Sequence, residues 1–121
     1  MADKMDMLNA SGFNTAEAMS RLGGNQKLYI TILSRFLDQY RSVEATLNGF
    51  MAEGKNEEIG RQAHTVKGLA GSIGHQELQS AAVALEQAAK QNSADMKTAI
   101  DSFVKTLNQT TSVLDQALKL P

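Results

Sequence analysis

The sequence predicts an all-α chain, an antiparallel up-and-down four-helix bundle with a short extra helix at its amino end. Three observations carry that prediction. Apolar residues recur at steps of three and four along almost the whole chain, and no stretch alternates as a strand would. The one proline is the terminal Pro121, so every internal segment is free to be helical. The breaks between periodic stretches are short and rich in Gly and Asn, which makes consecutive helices antiparallel neighbours.

The short extra helix follows Asn14, whose side chain can cap the free amides while Glu17, three residues on, completes a pair like a capping box. It ends at Gly23 and Gly24. Asn25 can cap a long helix in which Tyr29, Leu33, Phe36, Tyr40, Val43, Leu47 and Phe50 form one apolar seam, stopped by Gly54. A further helix takes Asn56 as its cap and places Glu57 and Glu58 in the first turn, where the helix dipole favours negative charge. Its core face is Ile59, Ala63, Val66, Ala70 and Ile73, and Gly74 ends it. The next turns Leu78, Ala81, Ala82, Leu85, Ala88 and Ala89 inward and breaks at Asn92 and Ser93. The last carries Met96, Ile100, Phe103, Leu107 and Leu114 on one side. The four long helices make the bundle, and the short one covers an end.

At 121 residues, the chain suits a single domain over 1–121, with the first twelve or so residues expected to be disordered. Twelve basic and thirteen acidic residues are scattered to a net charge of -1, which offers no field for nucleic acid or an anionic membrane. Without cysteine there are no disulfides, thiolate chemistry or zinc–cysteine sites. No apolar run approaches the ~20 residues of a membrane span, and the amino end lacks a basic-then-apolar signal pattern. These features point to a cytoplasmic domain without direct membrane contact. The six methionines fall singly, with Met51 and Met96 as core filler.

Chemistry concentrates on the helix after Asn56. At about 100° per residue, His64 points away from the stripe Ile59, Ala63, Val66, Ala70 and Ile73 and toward solvent. Gly60, Gly68 and Gly71 surround it. A glycine inside a helix costs about 1 kcal/mol relative to alanine, so three beside one histidine require a reason. Close packing of a neighbouring helix is one. The other is access, a bare surface at Gly68 and Gly71 that lets another protein's active site reach the ring.

An imidazole is substantially neutral at cellular pH and offers a lone pair to an electrophilic phosphorus. Lys67, at i+3 on the same side, can set its ammonium beside phosphoryl oxygens and is expected to have no other strong partner. Folding the chain back at Gly74 and His75 brings Glu86 opposite His64, where a carboxylate could accept the second ring N–H and orient the ring. Against these stand plainer readings, that an exposed histidine is ordinary surface and Glu86 a solvated helix residue. His75 reads as a cap or surface residue, and with no third ligand at metal spacing the two histidines make no metal site.

The run His64-Thr65-Val66-Lys67-Gly68, followed by Gly71, Gly74, Leu78, Leu85 and Glu86, resembles the histidine phosphotransfer (HPt) family, whose signature is a histidine, two residues, lysine-glycine, then a further glycine. Upstream, Arg21-Leu22-Gly23-Gly24-Asn25 with Leu28, Leu33 and Phe36 looks like the entry to the family's second helix, in the form found at the end of hybrid sensor histidine kinases. The likeness thus covers most of the chain. It implies a phosphorelay carrier in two-component signal transduction. His64 takes a phosphoryl group from an aspartyl phosphate of one receiver domain and passes it to a receiver domain of a response regulator or hybrid kinase. It also implies a monomer with no cofactor of its own, the receiver supplying Mg2+ and the catalytic groups. The setting is the cytoplasm or the cytoplasmic part of a membrane-bound sensor kinase.

The chain has no G-x-x-x-x-G-K-[ST] loop and no room for an ATP-binding domain, so the reading is of a carrier and not an enzyme. Two alternatives stay open. A helical adaptor or inhibitor could use the same glycine-lined face without carrying phosphate. A phosphatase or kinase fragment would show its own turnover with ATP.

Overall fold

The computed structural model describes residues 3–121, and those residues form seven helices and no strand. In chain order they are α1 Lys4–Ala10, α2 Thr15–Ser20, α3 Gln26–Tyr40, α4 Val43–Ala52, α5 Asn56–Ile73, α6 Gln76–Lys90 and α7 Met96–Ala117. α5 and α6 form the closest pair, α7 packs against α6, α4, α3 and α1, and α3 and α4 also touch α5. One core joins them, with Tyr29, Leu33, Leu47, Ile59, Val66, Ile73, Leu78, Leu85, Ile100, Leu107 and Leu114 fully buried.

The short helix after Asn14 starts as its sequence requires. Asn14 accepts from the Glu17 amide at 3.1 Å, and its own side-chain amide donates to the Glu17 carboxylate at 3.2 Å. Three expectations change. Of the first twelve residues, Met1 and Ala2 lie outside the described residues, but 4–10 form a helix where disorder was expected. A reciprocal capping box between Asp3 and Asp6 starts α1, and Leu8 buries its side chain completely as the helix packs on α7. The seam Tyr29 to Phe50 belongs to two helices, because the chain turns at Arg41 and Ser42. Neither glycine nor proline marks that turn. Arg41 pairs with Asp115 of α7 at 3.3 Å, and all of the seam except half-buried Phe50 stays in the core across it. At α5, Lys55 and not Asn56 holds the cap position, and the Asn56 amide instead donates to the Asn92 side chain at 3.2 Å.

The turn between α5 and α6 positions everything that follows. Gly74 ends α5 at φ 82°, a left-handed conformation that side chains disfavour, and a Cβ there would meet the backbone oxygen of Asn14 at 2.6 Å. Asn14 in turn donates its amide to the Gly74 carbonyl at 2.8 Å. His75 caps α6, its Nδ1 accepting from the Leu78 amide at 3.1 Å, while Phe13 packs edge-on against the ring with centroids 4.6 Å apart. Across the core, the Tyr29 hydroxyl donates to the Ile73 carbonyl at 2.7 Å, satisfying an acceptor at the end of α5. Burial pushes that phenol up to about 12.

Because His75 is buried and uses Nδ1 as an acceptor, it is held neutral, and burial lowers its imidazole from the ordinary 6.5. As pH falls, the unfolded chain therefore binds the proton first. The stability from the neutral cap is full above about pH 6.5 and is lost as pH drops through the lower folded value. His75→Asn, which can cap without titrating, should flatten the fall in stability below about pH 6.5, measured as urea midpoints across a pH series. A fall as steep as in the parent protein would remove His75 as its source.

Candidate functional site

α5 and α6 run antiparallel about His75, so Gly60 faces Ala89, His64 faces Glu86 and Gly71 faces Gln79. His64 stands on the solvent side of α5 with its side chain 66% exposed, opposite a Glu86 side chain only 10% exposed. Its Nδ1 lies 2.8 Å from Glu86 Oε2, and the other carboxylate oxygen, Oε1, accepts from Lys67 Nζ at 2.9 Å. Lys90, one turn along α6, brings its ammonium to 3.8 Å from Oε2.

The Lys67 ammonium foremost, then the His64 hydrogen bond and Lys90, hold the Glu86 carboxyl below its ordinary 4.5, with burial opposing them. An ionised carboxylate can only accept, so His64 Nδ1 carries the hydrogen and donates it. In the neutral ring the lone pair then lies on Nε2, at the exposed edge. The arrangement presents one oriented imidazole nitrogen to an incoming electrophile.

Of the five residues singled out in the sequence, His64, Lys67 and Glu86 meet here, and Lys67 and Gly71 behave differently from the simple expectation. Lys67, expected to be without a strong partner, is bound to Glu86. Gly68 is open, since a Cβ there would meet nothing within 4 Å, whereas Gly71 is covered: a Cβ would lie 2.7 Å from the Gln79 amide nitrogen. The Gly71 carbonyl also accepts from Arg21 at 2.6 Å, and Arg21 pairs with Glu17, which ties α2 to α5. Gly60 has a packing reason, because a Cβ would touch that of Ala89 at 3.4 Å.

Sequence reasoning passed over Lys90, and it named Arg21 only as part of the entry to a helix and not for its bond to Gly71. The spacing of Glu86 and Lys90, four apart on one helix face, is the signal that could have found the first. The same spacing links Arg21 to Glu17, but no local pattern marks its reach to the Gly71 carbonyl. A groove of about 560 Å³ runs from His64 toward the amino end of α5, lined by Glu57, Gly60, Arg61, Glu86 and Lys90 among others. Among the described residues, no group of three His, Asp or Glu side chains could hold a metal ion, and no helix is long and apolar enough to cross a membrane.

The site is thus an oriented imidazole displayed on a bare face of a helical bundle, with no pocket enclosing it. Residues 31–119 match the Hpt domain, and the chain belongs to that family. No curated protein and no solved structure matches it. Membership places the chain in histidine phosphotransfer within two-component phosphorelays, where Hpt domains act as phosphocarriers rather than enzymes and interact with receiver domains.

The carboxylate has a consequence for pH. With its folded value depressed, Glu86 contributes stability that is present above 4.5 and lost as pH falls through the folded value. Lys67→Gln should raise the Glu86 titration, followed by carbon-13 NMR of the carboxyl, and should raise it more than Lys90→Gln does, because Lys67 is 2.9 Å away and Lys90 3.8 Å. Equal shifts in the two variants would show that Lys67 holds no special place at the carboxylate.

Proposed function

We propose that this chain is a single phosphocarrier domain in which His64 Nε2 takes a phosphoryl group from an aspartyl phosphate of one receiver domain and yields it to another. The observation that carries this reading is the hydrogen bond from His64 Nδ1 to Glu86, which in the neutral ring puts the lone pair on Nε2, exposed on the family's helical scaffold. The lone pair on Nε2 attacks phosphorus, the P–O bond breaks, and its electron pair returns to the aspartate carboxylate. In the reverse direction the same atoms move back.

Lys67 can exchange one anion for another, turning from Glu86 Oε1 to the phosphoryl oxygens as their charge arrives. Gly68 keeps the helix surface low beside the ring, whereas Gly71 seats Gln79 and Arg21. The remaining catalytic groups and the Mg2+ belong to the receiver in this reading. We place the domain in the cytoplasm, free or as the cytoplasmic part of a membrane-bound sensor kinase, and working as a monomer.

His64→Gln should fold normally, judged by circular dichroism and urea unfolding, and should take no label when mixed with a phosphorylated receiver domain. Label retained in that variant, or moved to His75, would rule His64 out as the acceptor. An adaptor that carries no phosphate would bind the receiver equally well with either residue and remain unlabelled in both.

Gly68→Gln should slow transfer by filling the approach. It should also raise stability by up to about 1 kcal/mol, because glutamine is the better helix former and its Cβ meets nothing. Unchanged transfer together with weaker folding would assign the glycine to packing.

A further inference from the structure

Glu86 sits where both of its roles, acceptor and charge, act on the same ring. Its Oε2 takes the Nδ1 hydrogen at 2.8 Å, and the charged groups around the imidazole are otherwise mostly cationic. Lys67 on α5 and Lys90 on α6 both approach the carboxylate, and Arg61 and Glu57 on α5 line the adjoining groove, Arg61 already pairing with Glu58 at 2.6 Å. Glu86 is thus the acid that balances two lysines beside His64.

Attack through Nε2 by a ring that keeps its Nδ1 hydrogen gives a positively charged phosphoimidazolium. A neutral amide in place of Glu86 could accept the same hydrogen bond. It would not balance the new charge, and it would leave Lys67 and Lys90 uncompensated against the ring. The difference matters for the next transfer. When Nδ1 is protonated, an acceptor carboxylate oxygen attacks phosphorus, the P–Nε2 bond breaks, its pair returns to Nε2, and neutral imidazole leaves with its hydrogen in place. When Nδ1 has lost that hydrogen, the leaving group is an imidazolate anion, a far poorer one.

We propose that the charge of Glu86, beyond its hydrogen bond, keeps phosphorylated His64 protonated at Nδ1 and so holds it at high transfer potential. This inference rests on the reading of His64 as the phosphoacceptor. Lys90 acts in the opposite sense, as a cation that weakens the hold on the Nδ1 hydrogen.

The test loads the full chain with phosphoramidate, a small phosphoryl donor. It follows loss of phosphohistidine by phosphorus NMR from acid to alkaline pH, and transfer to a receiver domain in parallel. Glu86→Gln should move the pH profile of phosphate loss to lower pH by about one unit, so that loss and transfer on the sloping limb are about tenfold slower. Lys90→Gln should move the profile to higher pH. A shift in opposite directions is not what loosened folding would give, since both variants would then lose phosphate faster at every pH. A Glu86→Gln profile that overlays the parent, or movement of both variants in one direction, overturns the inference while leaving His64 as acceptor. Loading at a residue other than His64 in the parent chain overturns the reading beneath it. If Glu86→Gln does not fold, the Lys90→Gln profile decides alone, because Lys90 is exposed and its loss leaves the core untouched.

Discussion

The antiparallel contact between α5 and α6 is the constraint on which the remaining geometry depends. It is set at one end by Gly74, whose left-handed backbone and lack of a Cβ let the chain reverse directly beneath Asn14. It is set along its length by small residues, among them Gly60, where a Cβ would meet that of Ala89 at 3.4 Å. Together these fix the register, and the register brings residue 86 to residue 64. A hairpin offset by one residue would rotate Glu86 about 100° around α6 and remove it from the ring. The amino-terminal segment contributes to the same end, since Phe13 and Asn14 hold the turn through His75 and Gly74.

Within that register, a carboxylate that is mostly withdrawn from water is shared between an imidazole and two ammonium groups. Exposed ion pairs contribute little to stability, and this one is better understood through what it does to hydrogen positions. A lowered Glu86 stays ionised over the whole physiological range. It therefore accepts from Nδ1 at all times and fixes the tautomer of His64 without depending on a partner protein. Most of the stability comes from the aliphatic core and from buried polar links such as Tyr29 to Ile73.

Much of this was legible in the sequence because helical periodicity is local. The inward faces of α5, α6 and α7 follow from steps of three and four, and the outward phase of His64 follows from the same count. Pairing His64 with Glu86 needed only one more step, the placement of the turn at Gly74. What escaped depended on contacts between distant segments. Leu8 becomes core only because α7 is there to receive it, and a seven-residue helix has no strong signal alone. The turn at Arg41 and Ser42 leaves the apolar seam intact, so a reading based on the seam runs through it. Arg21 reaches the Gly71 carbonyl across fifty residues of sequence, and Lys67 meets Glu86 across nineteen, on two different helices, so no local spacing pairs them.

If His64 is the acceptor proposed above, that last contact explains how a surface histidine works without an enclosing pocket. Phosphoryl transfer asks mainly for positioning and for charge placed where charge develops. Both are supplied on α5 and α6 by side chains fixed before any partner arrives, while the bare surface at Gly68 leaves the approach to Nε2 unobstructed. An enclosing cleft would have to open for every receiver; a helix face does not. The cost is a glycine in mid-helix, about 1 kcal/mol, which a helix of eighteen residues buried along its whole inner face can carry. In the proposed reading Lys67 completes the logic, because an ammonium already paired with Glu86 has little distance to travel when phosphoryl oxygens appear beside it.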